Sequence, residues 1–203
     1  MLFGTCIQTL VGQRQNLIFN RMITEKTTVR QYLALQMFYD LKTFEAEILQ
    51  AKRPDSILTH AVPESLDSIT YSQRLDLQDI KTESDMLFKP CEILFSMTKN
   101  DVLSVSVFSI IGLSMWVIKE LNRMSDRERT TLEYKPEPEE LKAGINELRF
   151  GAFGVIDSIV RTRPVYTHEA VLQLSCAKVY AMQLIDHKQR MYEKRLRKEY
   201  SKK

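Results

Sequence analysis

The residue groupings whose types and spacing resemble reactive sites each lack a required member. His168-Glu169 opens as a zinc-protease helix does, but Leu172 stands where the second histidine is needed. Gly112-Leu-Ser114-Met-Trp116 opens like a nucleophile elbow, with Trp116 in place of the closing glycine, and Ser114 reads as a helix-packing serine. Gly151-Ala-Phe-Gly154 lacks the Lys-Ser/Thr pair of a phosphate loop, and its glycines read as a turn between helices. The acid pairs Glu45/Glu47, Asp76/Asp79 and Glu139/Glu140 lie in charged stretches, whereas general acid–base work needs a carboxyl whose pKa is shifted by desolvation. His60, His168 and His187 have no close cysteine pair beside them, so a metal cage is not expected. The reading is a binding protein rather than an enzyme, with no catalytic, cofactor or metal residues.

The elements that carry these residues are mostly helices. Six glycines and six prolines in 203 residues are few breakers, and 44% hydrophobic with 27% charged residues is an ordinary folded composition. Cys6, Cys91 and Cys176, odd in number and far apart, give no disulfide framework and suit a reducing cytosol. The first residues, MLFGTCIQTLVGQRQN, make a poor signal peptide, and 1–26 fit strand and helix alike. Val102–Ile118 is uncharged but interrupted by four serines and Gly112, which favours a buried core helix over a membrane span.

The expected class is all-α: two small helical halves and a long amphipathic C-terminal helix. Thr27 or Thr28 caps a helix over 29–51, with Leu33, Met37, Leu41, Phe44 and Ile48 on one face and Tyr32, Leu35 and Tyr39 on another. Residues 52–85 read as a long loop or an excursion from the core, with a short helix opening at Pro63–Glu64. Ser84 caps the next helix, which Pro90 kinks or ends, and Thr98 with Asp101 forms a capping box. The N-terminal domain covers 1–125. The charged, proline-bearing stretch 126–140 is a linker, and 141–203 is a C-terminal module. There Pro138 starts a helix with inner face Leu141, Ile145 and Leu148; Gly151 and Gly154 mark a break; Pro164 stops a short helix; and Thr167 and Ser175 cap the last two. No internal repeat stands out.

The last helix, from the Ser175 cap to about Tyr200, carries the sharpest signal. Lys178–Lys203 holds nine Lys/Arg against three Asp/Glu, a local charge of +6, while the rest of the chain balances at −3. Met182, Ile185, Tyr192, Leu196 and Tyr200 form one apolar stripe. A heptad rhythm runs through Met182, Ile185, Gln189, Tyr192, Leu196 and Glu199, too short and too polar for a coiled coil. The first half of this helix suits packing on its own domain; the half after His187 suits docking on another chain. The partner-binding candidates are Tyr32, Leu35 and Tyr39 on the first helix. On the last they are Lys188, Arg190, Tyr192, Lys194, Arg195, Leu196, Arg197 and Lys198. Such a tail points to an acidic or anionic partner, and its cations would suit nucleic acid phosphates.

Three segments together resemble proteins of tailed bacteriophages, two of them the tail assembly chaperones. Thr28-Val-Arg-Gln-Tyr-Leu-Ala-Leu35 resembles a helix start near the N-terminus of small tailed-phage proteins. Pro90-Cys-Glu-Ile-Leu-Phe-Ser-Met-Thr98, then Asp101-Val-Leu and a helix ending Val117-Ile-Lys-Glu-Leu121, resembles the central part of those chaperones. Tyr166-Thr-His-Glu-Ala-Val-Leu-Gln-Leu174, with a long helix ending Tyr192-Glu-Lys-Arg195, is similar to their C-terminal module. The resemblance implies a non-enzymatic helical protein that acts in particle assembly in the host bacterial cytoplasm. Its partners would be other phage structural proteins, with no membrane. A virion component such as a head–tail connector ring, itself a homo-oligomer, fits the same composition, and a helical nucleic-acid binder is the second alternative.

Overall fold

The computed structural model describes residues 23–37, 51–148 and 150–201. The regular elements of the described residues are helices apart from one two-stranded hairpin, the all-α class expected. They form two units. Unit one holds the described residues up to Val62 together with Ile80–Ile118; unit two holds Pro63–Asp79 and Lys119–Lys203.

This division differs from a boundary at 125 with a linker over 126–140. Helix α5 (Val107–Thr131) runs unbroken through that point. The stretch after Ser125 has no proline or glycine before Pro136, Arg129 pairs with Asp126 at 2.9 Å, and Thr130 and Thr131 bond back to carbonyls one turn earlier. Residues 52–85 are not a loop either. They hold a hairpin, Ser56–Ile57 against His60–Ala61, and the segment 63–79, which leaves unit one and packs in unit two as an excursion.

In unit one, α1 (Val29–Gln36) starts on a capping box, with Thr28 Oγ1 accepting from the Gln31 amide and Gln31 Oε1 accepting from the Thr28 amide. Of the wider helix expected over 29–51, residues 38–50 lie outside the described residues, as do 1–22. Tyr32 is buried and serves the core of its own unit, Leu33 and Leu35 are half-buried, and Met37 is exposed. After β1 (Ser56–Ile57) and β2 (His60–Ala61), α3 (Glu83–Phe95) is capped by Thr82, not Ser84, and continues past Pro90 to a left-handed Ser96. The uncharged run 102–118 is not one helix. The short α4 (Lys99–Ser104), with the expected Thr98–Asp101 box, ends at Val105, and α5 starts at Val107. The break exists because 105–107 pairs with 27–29: the Val29 amide donates to Val105 O and the Val107 amide to Thr27 O, each at 2.9 Å. Ile110, Leu113 and Val117 of α5 then fill the core with Val29, Ile57, Cys91 and Val102. Among the described residues no helix is long and apolar enough to cross a membrane.

In unit two, Leu66–Ser68 forms a single 3-10 turn and α2 (Tyr71–Gln78) starts on a Thr70–Gln73 capping box. Pro138 opens α6 (Pro138–Lys142) as expected, with Glu139 and Glu140 in the first turn. However, Gly144, at φ +82, ends that helix, so Leu141, Ile145 and Leu148 never form a continuous inner face; Leu141 and Leu148 are exposed. Gly151, at φ +54, marks the expected break and opens α7 (Gly151–Thr162), which stops before Pro164, whereas Gly154 lies inside that helix. The Thr167-capped α8 (His168–Leu172) and the Ser175-capped α9 (Cys176–Tyr200) follow as the caps indicate.

The chain repeats one module, which corrects the reading of it as free of internal repeats. Thr28-x-x-Gln-x-Leu-x-Leu-Gln36 recurs as Thr70-x-x-Gln-x-Leu-x-Leu-Gln78, each starting an eight-residue helix on a Thr/Gln capping box. Thr98-x-x-x-Val-Leu-x-Val-Ser106 recurs as Thr167-x-x-x-Val-Leu-x-Leu-Ser175, each carrying a short helix and then a 25-residue one. The same β-bridge joins them. Thr28 pairs with Ser106, and Thr70 pairs with Ser175, where the Tyr71 amide donates to Leu174 O and the Cys176 amide to Ile69 O. Val102 and Val107 of the first module correspond to Val171 and Cys176 of the second, all four buried.

Candidate interaction surface

Helix α9 presents two unlike faces. Ser175 Oγ accepts from the Lys178 amide and fixes its start, and Cys176, Val179 and Met182 anchor its first turns in unit two. Burial pushes the Cys176 thiol up to about 11 and the Cys91 thiol of unit one up to about 12, so neither is ionised near neutrality. Arg163 grips Asp186 with two bonds of 2.7 and 2.9 Å and holds the middle of α9.

Beyond Asp186 the inward face is basic and meets an acidic partner from its own chain. Lys194 Nζ lies 3.1 Å from Glu140, 3.2 Å from Glu137 and 2.9 Å from the Tyr134 hydroxyl, and Lys198 lies 2.6 Å from Glu137. The Tyr134 hydroxyl donates a very short bond to Glu140. That bond, the Glu137 amide and Lys194 hold the Glu140 carboxyl down to about 2. Bonds from Lys198 and Lys194 lower Glu137, and the Tyr134 hydroxyl with both glutamates raises Lys194. Open grooves of about 590 and 840 Å³ flank this contact.

The outward face is the apolar stripe. Met182 is buried, but Ile185 is 59%, Tyr192 58%, Leu196 39% and Tyr200 69% exposed. At 100° per residue these lie opposite Lys194 and Lys198. The helix is amphipathic with its oily edge in solvent and much of its charge turned toward its own unit. Lys188, Arg195 and Arg197 are exposed and have no acid within ion-pair distance among the described residues; Arg190 donates back to Asp186 O.

The candidates named from sequence therefore separate. Lys188, Tyr192, Arg195 and Leu196 lie along the outer edge, whereas Arg190 and Arg197, also exposed, border the groove beside Lys194, Glu137 and Glu140. Lys194 and Lys198 are engaged with Glu137 and Glu140, a pairing that only the fold brings together. Tyr32 is core, Leu35 is half-buried and Tyr39 lies outside the described residues. Leu148, Phe150, Phe153 and Val165 of unit two are also exposed, and of these the sequence pattern places only Leu148 on a helix face. His168 stacks on Phe153, with ring centroids 5.8 Å apart, and Ser114 is a buried packing serine. Among the described residues no three His, Cys, Asp or Glu side chains are grouped as a metal site needs. Compared with known protein families, curated proteins and solved structures, the chain matches none.

Proposed function

We propose that this is a non-enzymatic interaction protein of tailed-phage particle assembly, similar in role to a tail assembly chaperone. The observation that carries a binding role is the solvent-facing stripe Ile185–Tyr192–Leu196–Tyr200. A folded unit leaves such an edge in water when another chain covers it. The phage context rests on the sequence resemblance alone. In this reading the protein acts in the host bacterial cytoplasm and binds other phage structural proteins through the outer edge of α9.

One observation favours a second reading, a head–tail connector ring: a duplicated module whose last long helix has an uncovered face suits a subunit that contacts its neighbours in series. The nucleic-acid reading gains less, because two of the tail's cations already face Glu137 and Glu140.

Deleting 188–203 should leave a folded protein that no longer co-purifies with phage structural proteins; retention of the same partners would refute the assignment to α9. Mass spectrometry of purified particles separates the two roles. A chaperone is missing from them, and a connector is present in fixed ring-like copy number.

A further inference from the structure

The internal duplication shows what covers the α9 stripe in the corresponding place. Helices α5 and α9 are equivalent, so 119–131 of α5 correspond to 188–200 of α9. Within unit two, segment 63–79 lies over that half of α5. The Leu66 amide donates to the Glu120 carboxylate at 3.2 Å, and Asp67 accepts from Arg123 at 2.9 Å and Arg127 at 2.7 Å. Arg74 meets Glu128 at 2.8 Å, and Met124 is fully buried. Position for position, Glu120, Arg123, Met124, Arg127 and Glu128 become Gln189, Tyr192, Glu193, Leu196 and Arg197 on α9, of which all but the half-buried Glu193 are exposed. The face that is covered in the first long helix is the face that lies open in the second.

The segment equivalent to 63–79 is the one that carries α1. Both make the same turn before the helix, the Thr27 amide donating to Thr24 O as the Ile69 amide does to Leu66 O. Glu25 occupies the position of Asp67. It is exposed, as are Lys26, Gln36 and Met37.

We propose that the outer edge of α9 binds residues 23–37 of a second copy of this chain, head to tail. The inference rests on the reading of α9 as a contact surface and names its partner. The chemistry is complementary. Two arginines that hold Asp67 internally are replaced by Tyr192 and Leu196, so apolar contact takes over the centre. Lys188 and Arg195, which have no acid within ion-pair distance among the described residues, border the Tyr192–Leu196 stripe that Glu25 would reach. Such a contact uses two different surfaces, so each copy can donate one and accept the other, and the assembly grows into a ring or an open chain.

The test is sedimentation velocity on the full chain over rising concentration, with Leu196→Glu and Glu25→Arg variants whose fold is checked by circular dichroism. Both positions are solvent-facing, so both variants should fold. The unmodified chain should form species beyond a dimer. Each variant alone should associate at least about tenfold more weakly, while an equimolar mixture should form a one-to-one heterodimer, because each variant keeps the surface the other has lost. Four outcomes would overturn the proposal: an unmodified chain that stays monomeric throughout, variants that associate as it does, a mixture that stays monomeric, or a Glu25→Arg chain that still dimerises through α9 against α9. Capture of other phage proteins is measured separately and can fail or succeed without this result.

Discussion

The Ser114 hydroxyl donates a 2.6 Å hydrogen bond to the carbonyl oxygen of Met86, the group that Pro90 deprives of its helical partner. In an α-helix the amide of residue 90 would bond to that carbonyl, and proline has no N–H to give. Helix α3 therefore runs through Pro90 because a serine on α5 supplies the missing donor. Ser114→Ala should cost about 1–2 kcal/mol, the range for leaving a buried acceptor unpaired. In a Pro90→Ala background, where the new amide can bond to Met86 O, the same substitution should cost less than half as much. Urea denaturation of the four chains checks this, and equal costs in both backgrounds would remove the explanation.

Gly112 faces the backbone of Lys52 at a distance no side chain can share. A methyl group built there would sit 2.1 Å from Lys52 O and 2.9 Å from its carbonyl carbon. Both contacts are backbone, so neither can rotate away. Gly112→Ala should lower stability by about 3 kcal/mol through overpacking, measured by thermal or urea unfolding; Ser109→Ala, one turn earlier on the same helix, should stay within about 0.5 kcal/mol.

Asp67 sets a pH dependence. Burial pushes its carboxyl up, but bonds from Arg127, Arg123 and Ser65 outweigh burial and bring it from 3.8 to about 2. A carboxyl depressed on folding adds stability that is fully present above its unfolded value and is lost as pH falls through its folded one. The loss should therefore fall between about pH 4 and pH 2. Asp67→Asn should flatten the stability profile in that window and lower stability near neutrality by about 1 kcal/mol. An unchanged acid limb of the unfolding curve would count against the arginine clamp.

Local chemistry made the helix starts legible: Thr98 with Asp101, Thr167 and Ser175 each satisfy orphan amides within a few residues, and Pro138 has no amide to leave orphaned, so sequence neighbours suffice to read them. The duplication is also written in the sequence, as Thr-x-x-Gln-x-Leu-x-Leu-Gln and as Thr-x-x-x-Val-Leu-x-(Val/Leu)-Ser. It escapes a fixed-period reading because the first pair is offset by 42 residues and the second by 69. Connections of different length separate equivalent elements, and only the paired β-bridges bring them into register. Pro90 misled for the opposite reason, since its rescue comes from Ser114 on another helix. On α9 the basic run and the apolar stripe were both visible, but which face pointed outward depended on Glu137 and Glu140, more than fifty residues away from Lys194 and Lys198.

That acidic segment makes the last prediction. With Lys194 and Lys198 held by Glu137 and Glu140, the cations in the distal half of α9 that remain available to an anion are Lys188, Arg190, Arg195 and Arg197. Glu137→Gln with Glu140→Gln removes both negative charges and leaves the two lysines to face solvent. The double variant should elute from heparin at higher salt than the unmodified chain. Its affinity for duplex DNA should fall more steeply with salt, by about 2 in the log–log slope, since each added phosphate contact contributes roughly 0.9. If elution and slope stay unchanged, Glu137 and Glu140 do not mask α9. If neither chain binds heparin or DNA at low salt, the nucleic-acid reading falls, and contact through the apolar edge remains the reason for this helix.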